Sequence, residues 1–231
     1  LLAHWLKRRD QKSLATLSLS AADTSPVHFF RHWLEALRKA VPAFDTFSYN
    51  QLVADAALPA DAVADSLLHS FSQVKAPLLI VLDDFQHAHD TLTETVFSIL
   101  VDRLPAHIHM LISSRIQPKF ALSRLQLAEK LRVIDREELD LSAEELASLA
   151  ERNLGRRLAD EEINHLLGIT EGWLAGIRFA LLTHHHAHNP ELNDFSASHP
   201  ALIDYFAQVV LRDLPDNDRD MLLSSAVTER F

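Results

Sequence analysis

Apolar residues recur along this chain in two rhythms, and the place where one gives way to the other divides it. In the first part, short apolar runs alternate with segments of helical spacing; from Leu141 onward only helical spacing remains. Leu14 to Leu19 predicts a short strand. Ser25-Pro26 then forms an N-cap and first-turn pair for a helix carrying Phe30, Trp33, Leu34, Leu37 and Val41. Asn50 to Val74 reads as helical, with Leu52, Val53 and Ala56, then Val63, Leu67, Leu68 and Phe71, interrupted near Pro59. The run from Pro77 to Leu82 is so apolar that it predicts a strand covered on both faces. Thr91-x-x-Glu94 reads as a capping box opening a helix through Val96, Phe97, Leu100, Val101 and Leu104, ended by Pro105. Ile108 to Ile112 predicts another buried strand, and Leu131 to Ile134 one more. Strands alternating with helices imply an α/β fold with a parallel sheet and right-handed crossovers.

The second part predicts a small helical bundle. Ser142-x-x-Glu145 caps a helix through Leu146 and Leu149 to Gly155; Asp160 caps another through Ile163, Leu166 and Leu167 to Gly168; Leu174, Ile177 and Leu181 continue a third. His184 to Ser198 is polar, His-rich and contains Pro190, which predicts a linker. Pro200 then opens a helix with Ile203, Phe206, Val209 and Val210, and Asp216 opens another with Met221 and Leu222. No internal repeat is visible.

Composition narrows the function classes. A length of 231 residues with 48% hydrophobic residues supports a real core in one large or two small domains. A formal net charge of −10 argues against broad nucleic-acid binding by this segment, which would need clustered Lys and Arg. The absence of cysteine excludes disulfides and thiolate metal sites and suits the cytoplasm. No apolar stretch approaches the roughly 18 residues of a membrane span. The chain opens Leu1-Leu2-Ala3-His4-Trp5-Leu6, already in helical register, and stops at Phe231 with no turn signal behind it. The expectation is an internal piece of a longer protein.

The candidate chemistry starts at Asp83-Asp84, two carboxylates where the most apolar strand ends. Open parallel sheets place their ligands at that end, so the pair has the character of a Walker B element. Asp83 suits coordination of a nucleotide's Mg²⁺ and Asp84 polarisation of the attacking water. Equally, Asp-Asp caps helices and turns chains. Arg115, just past the next strand, suits a γ-phosphate sensor, although a loop arginine taken by itself is more often plain surface. The usual partner of a Walker B strand, Gly-x-x-x-x-Gly-Lys-Ser/Thr, does not occur; the four glycines are Gly155, Gly168, Gly172 and Gly176. Two other classes stay open. Asp83, Asp84, His87, His89 and Asp90 lie close together in sequence and could hold a hydrolytic metal, with His184, His185, His186 and His188 as a second cluster. Alternatively the chain is an inactive interaction module, since without the backbone cradle and lysine of a phosphate loop it should bind ATP weakly and show no ATPase.

The order Leu-Leu-Ile-Val-Leu-Asp-Asp-Phe-Gln-His, then His-Met-Leu-Ile-Ser-Ser-Arg, then Thr170-Glu171-Gly172-Trp173-Leu174-Ala175-Gly176-Ile177, resembles the nucleotide-binding region of MalT-type proteins. These are ATP-dependent LuxR-type transcriptional regulators within the STAND class of P-loop ATPases. Leu17-Ser18-Leu19, Asp23, Phe29-Phe30-Arg31-His32-Trp33 and Leu202-Ile203-Asp204-Tyr205-Phe206 extend the resemblance over nearly the whole chain. It implies a P-loop NTPase-like core over 1–138 without its first strand and phosphate loop. A helical lid over 139–187, a linker over 188–199 and the start of a winged-helix region over 200–231 would follow. It implies ATP or ADP with Mg²⁺ as ligands and Asp83, Asp84 and Arg115 in catalysis: Asp83 on the metal, Asp84 as its catalytic neighbour, Arg115 as the phosphate sensor, and Gly172 and Trp173 on the adenine side, although Leu174 stands where related proteins show a proline. It further implies a slow ATPase acting as a cytoplasmic switch. An inducer, self-association in the ATP state and DNA binding through a C-terminal helix-turn-helix would all involve parts outside this chain.

Overall fold

A computed structural model of the chain describes residues 2–6, 14–44, 59–186, 200–205, 207–208, 211 and 216–225. They fall into two compact units, Leu1–Arg132 and Val133–Phe231. The first contains α1 (Leu2–Leu6), β1 (Leu14–Ser18), α2 (Pro26–Ala40), α3 (Ala60–Gln73), β2 (Leu78–Asp83), α4 (Thr91–Arg103), β3 (Ile108–Ile112) and α5 (Leu122–Leu127). The strands form one parallel sheet in the order β1-β2-β3, so the expected α/β class is the observed one.

Register explains the core. Ala15 lies opposite Ile80 and Ile80 opposite Met110; Leu17, Leu82 and Ile112 align likewise. Alternate side chains of a strand face opposite sides, so these residues share one face with Leu78 and Ile108. Onto that face α2 brings Phe29, Phe30, Trp33 and Leu37, α3 brings Leu67 and Phe71, and α4 brings Val96, Phe97 and Leu100, all in one buried cluster. Trp33 sits 5.0 Å from Phe97 and 5.8 Å from Phe29 between ring centroids, within the range of favourable aromatic pairs. On the opposite face Val81 is buried, Leu79 is half-buried and Thr16 and His109 are exposed. The two-sided cover expected for the apolar strand thus holds at Val81 and weakens on either side of it.

Several local expectations need correction. Residues Leu131 to Ile134 form no strand: Val133 and Ile134 are largely exposed, and the preceding Glu129 turns the chain at φ 55°. A strand needs a sheet edge to pair with, and this run pairs with none of the three strands of the sheet. The helix expected over 50–74 is seen over Ala60–Gln73, with Pro59 at its N-cap; residues 50–58 lie outside the described part. Asp90, rather than Thr91, caps α4 by accepting from the Leu92 N–H at 2.8 Å. Ser25 occupies the N-cap of α2 without a side-chain bond, leaving Pro26 as the starting signal.

The second unit is helical: α6 (Arg136–Leu139), α7 (Ala143–Leu154), α8 (Asp160–Thr170), α9 (Leu174–His186), α10 (Pro200–Tyr205) and α11 (Asp216–Ser225). Ser142 and Glu145 form the expected capping box, and Gly155 ends α7 in the left-handed conformation at φ 69°. Ala159 holds the N-cap position of α8, where its N–H donates to Glu162 at 2.9 Å. That helix continues past Gly168 to Thr170, because Glu171 takes the left-handed position at φ 52°. Its core joins Leu146, Ala150, Ile163, Leu166, Ile177, Ala180 and Leu181. Arg156 forks onto both oxygens of Glu162 at 2.7 and 2.9 Å, which raises the guanidinium pKa further and ties the α7–α8 turn to the first turn of α8. α9 runs through His186, into the segment expected as linker; the side chains of His184, His185 and His186, and all of His188, lie outside the described residues.

Candidate functional site at the carboxyl ends of the strands

The site begins where β2 stops. Asp83 is the last residue of the strand, paired with Ser18 of β1, and its carbonyl accepts from the Leu19 N–H at 2.9 Å. Asp84 then turns the chain in the left-handed region at φ 55°, ψ 45°, a conformation Asp tolerates better than most residues. Immediately afterwards Phe85 is fully buried in the core and its N–H donates to the Ser113 carbonyl at 2.9 Å. The carboxylates are therefore held in place by an aromatic anchor behind them and a neighbouring strand beside them.

Ser113 extends the β2–β3 register one step beyond the Leu82–Ile112 pair. Its hydroxyl donates to the Asp83 carboxylate, and the same oxygen accepts from the Asp84 N–H at 3.3 Å. Two residues on, the Arg115 Nε lies 3.9 Å from an Asp84 carboxylate oxygen, with both side chains roughly half exposed. An exposed pair at that separation contributes less than about 1 kcal/mol, so its interest is placement rather than stability. Gln86 completes the group: its amide nitrogen donates to Asp84 at 2.9 Å and its amide oxygen accepts from the Arg115 N–H at 3.1 Å.

The structure thus brings Asp83, Asp84 and Arg115 to one edge of the sheet, together with Ser113 and Gln86, which the sequence pattern does not single out. Both stand inside the motif segments. What hides them is register: nothing in a linear reading says that the residue after β3 lies beside the residue ending β2.

The histidines near this edge do not join it as metal ligands. His89 Nδ1 bonds Glu94 at 2.7 Å, its Nε2 is buried without a partner among the described residues, and the His87 N–H donates to the Asp84 carbonyl at 3.1 Å. Among the described residues no three His, Asp or Glu side chains converge on a metal position, so the hydrolytic metal centre expected as an alternative on Asp83, Asp84, His87 and His89 lacks its ligand set there. Gly172 and Trp173 belong to the second unit. Gly172 has φ 82° and its carbonyl accepts from the Leu141 N–H at 2.8 Å, while the Trp173 ring packs over Gly176 and lies 6.0 Å from Tyr205. Around them Arg136 bonds Glu171 at 2.6 Å and approaches Asp140 at 3.4 Å, which raises its pKa. The Glu-Gly-Trp segment is a corner of the helical unit.

Fold and site together define an α/β protein with a P-loop-like parallel sheet, acidic and basic side chains gathered at its carboxyl edge, and a helical unit behind it in sequence. Among known proteins, the chain is 26% identical over 234 residues to the serine/threonine-protein kinase PknK of Mycobacterium tuberculosis, covering 100% of this chain and 21% of that protein. It is 22% identical over 233 residues to the HTH-type transcriptional regulator MalT of Yersinia pestis, covering 98% of this chain and 25% of that protein. The similarity is distant and full-length, and the chain spans about a fifth to a quarter of these relatives. No protein-family model matches the chain. No helix among the described residues is long and apolar enough to cross a membrane.

Proposed function

We propose that the chain is the nucleotide-binding switch region of an ATP-dependent, MalT-type transcriptional regulator working in the cytoplasm. The observation that carries this reading is the placement of Asp83, Asp84 and Arg115 at the carboxyl ends of adjacent parallel strands, where open α/β sheets bind their ligands. Distant similarity to a regulator over nearly the whole chain supports it.

The residues present fit a magnesium nucleotide. Asp83 spends one carboxylate oxygen on the Ser113 hydroxyl, and its other oxygen has no hydrogen-bond partner among the described residues. A single carboxylate suffices, because Mg²⁺ takes most of its ligands from phosphates and water. When bound, the metal would neutralise phosphate charge. Asp83 would hold it, Asp84 would orient and polarise water, and the Arg115 guanidinium would lie against the terminal phosphate. Gly172 and Trp173 would act on the adenine side by fixing the corner from which α9 starts.

Nucleotide would bind two conformations unequally, ADP favouring a closed monomer and ATP with an inducer an open, self-associating form. Hydrolysis would be slow and would reset the switch. DNA would be read by a helix-turn-helix elsewhere in the intact protein. In this assignment residues 1–138 serve as core, 139–187 as lid, 188–199 as linker and 200–231 as the start of the winged-helix region. The test is Mg²⁺-dependent binding of fluorescent ATP and ADP to the full-length protein carrying this chain. Asp83→Asn should abolish the Mg²⁺ dependence; an unchanged Mg²⁺ dependence would remove Asp83 from the metal.

A further inference from the structure

Gln86 bridges the two loops that carry Asp84 and Arg115, and each end of its amide is committed to one of them. We infer that Gln86 is a positioning residue that ties Asp84 to the Arg115 loop, so that a terminal phosphate drawn to the Arg115 guanidinium is felt at the Asp84 carboxylate. This rests on the nucleotide-switch reading above.

A primary amide is planar, with its donor and acceptor held at a fixed separation, so Gln86 cannot shift toward one partner without moving relative to the other. Asp84 is fixed from behind as well: its N–H donates to Ser113 Oγ at 3.3 Å and its carbonyl accepts from the His87 N–H at 3.1 Å. Only its carboxylate is left to respond, and that is the group Gln86 holds at 2.9 Å. On the other loop Gln86 pins the Arg115 backbone, at 3.1 Å, while the guanidinium stands half exposed and 3.9 Å from Asp84, longer than a hydrogen bond. Gln86 thus holds the Arg115 backbone, while the Arg115 side chain only approaches Asp84. A phosphate oxygen competing for the guanidinium would weaken the Asp84 contact without freeing the loop, and Gln86 would become the partner that keeps Asp84 oriented. ADP lacks that phosphate and would leave the Asp84–Arg115 approach as it is.

The expected signature is therefore in discrimination between nucleotides. In full-length protein, with Mg²⁺ present, the affinities for ADP and for a non-hydrolysable ATP analogue are measured by fluorescence titration. Gln86→Ala should bring the ratio of the two about tenfold closer to unity, the scale of losing one hydrogen bond to a charged group. Gln86→Glu, which keeps the acceptor for the Arg115 N–H but sets a carboxylate against Asp84, should lower the ratio as much. Nucleotide-free melting temperatures establish that both variants fold. Equal loss of affinity for both nucleotides would mean that Gln86 only supports the fold locally, and an unchanged ratio would mean that it couples nothing; either overturns the inference while the switch reading survives. Absence of nucleotide binding by the unsubstituted protein would overturn both.

Discussion

The Ser113 hydroxyl donates to the Asp83 carboxylate, joining the residue after β3 to the residue that ends β2. One oxygen serves both acids, since it also accepts from the Asp84 N–H at 3.3 Å. Groups that orient a metal-binding carboxylate typically matter by about ten- to a hundredfold in metal affinity. On the proposed nucleotide-switch function, Ser113→Ala should therefore weaken Mg²⁺-dependent nucleotide binding by about tenfold, and Ser113→Thr should restore most of it. Titration of nucleotide at several Mg²⁺ concentrations in the full-length protein checks this, because a purely structural loss would not depend on the metal.

Gly172 offers a test of the second unit that needs no ligand. Its φ of 82° is strained for any side chain, and a Cβ there would stand 2.9 Å from the Asp140 Cβ and 3.1 Å from the Leu141 carbonyl oxygen. Left-handed strain costs a non-glycine residue about 1–2 kcal/mol before any clash is counted. Gly172→Ala should destabilise the unit by about 2 kcal/mol or more. Gly168 is the control: it lies inside α8, and a Cβ added there would meet nothing within 4 Å, so Gly168→Ala should stabilise by up to about 1 kcal/mol. Urea unfolding followed by circular dichroism measures both.

The contrast between these glycines shows what the linear pattern carries. Helix and strand periods locate every strand of the sheet and most helices, because burial on one face imposes a period that survives in the sequence. Position 168 nevertheless looks like a helix end when glycine alone is the cue; the terminator is Glu171, a residue without a special sequence signal. Leu131 to Ile134 looks like a strand because β-branched residues are adjacent, yet strand formation depends on an available edge, which is a tertiary fact. At the candidate site, Asp83, Asp84 and Arg115 are legible because each lies at the end of a strand or within three residues past it. Ser113 and Gln86 are not, because their roles arise from register between strands and from a side chain spanning two loops.

Asp23 gives the acid limb of stability. It is 3% exposed, and burial pushes its pKa up, but bonds from His32 at 2.5 Å and from the backbone and hydroxyl of Ser20 at 2.9 and 3.1 Å more than offset that. The folded carboxyl therefore titrates below its ordinary value of 3.8. A depressed folded pKa contributes stability that is complete above the unfolded value and is lost as pH falls through the folded one. Stability of the first unit should accordingly decline below about pH 4. Asp23→Asn should lower stability at pH 7 by about 1–3 kcal/mol, the cost of disrupting buried hydrogen bonds to a charged group. It should also flatten the decline, which chemical denaturation across pH 2.5–7, about the range bracketing that titration, would reveal.

Trp33 is the centre of the first unit's core and carries a cost within it. The side chain is fully buried among Phe29, Phe30, Phe71 and Phe97, and its indole Nε1 has no hydrogen-bond partner among the described residues. Removing the ring altogether loses transfer free energy and leaves a cavity, so Trp33→Ala should cost about 3–5 kcal/mol. Trp33→Phe removes less apolar area, on the order of 1 kcal/mol at about 25 cal/mol per Å², and also removes an unpaired donor whose burial costs about 1–3 kcal/mol. The two effects oppose each other at similar size. Trp33→Phe should therefore lie within about 1 kcal/mol of the parent, and the difference between the two variants, read from urea midpoints at a common slope, separates ring packing from donor burial. A loss for Phe as large as that for Ala would mean that the indole nitrogen is satisfied in solution.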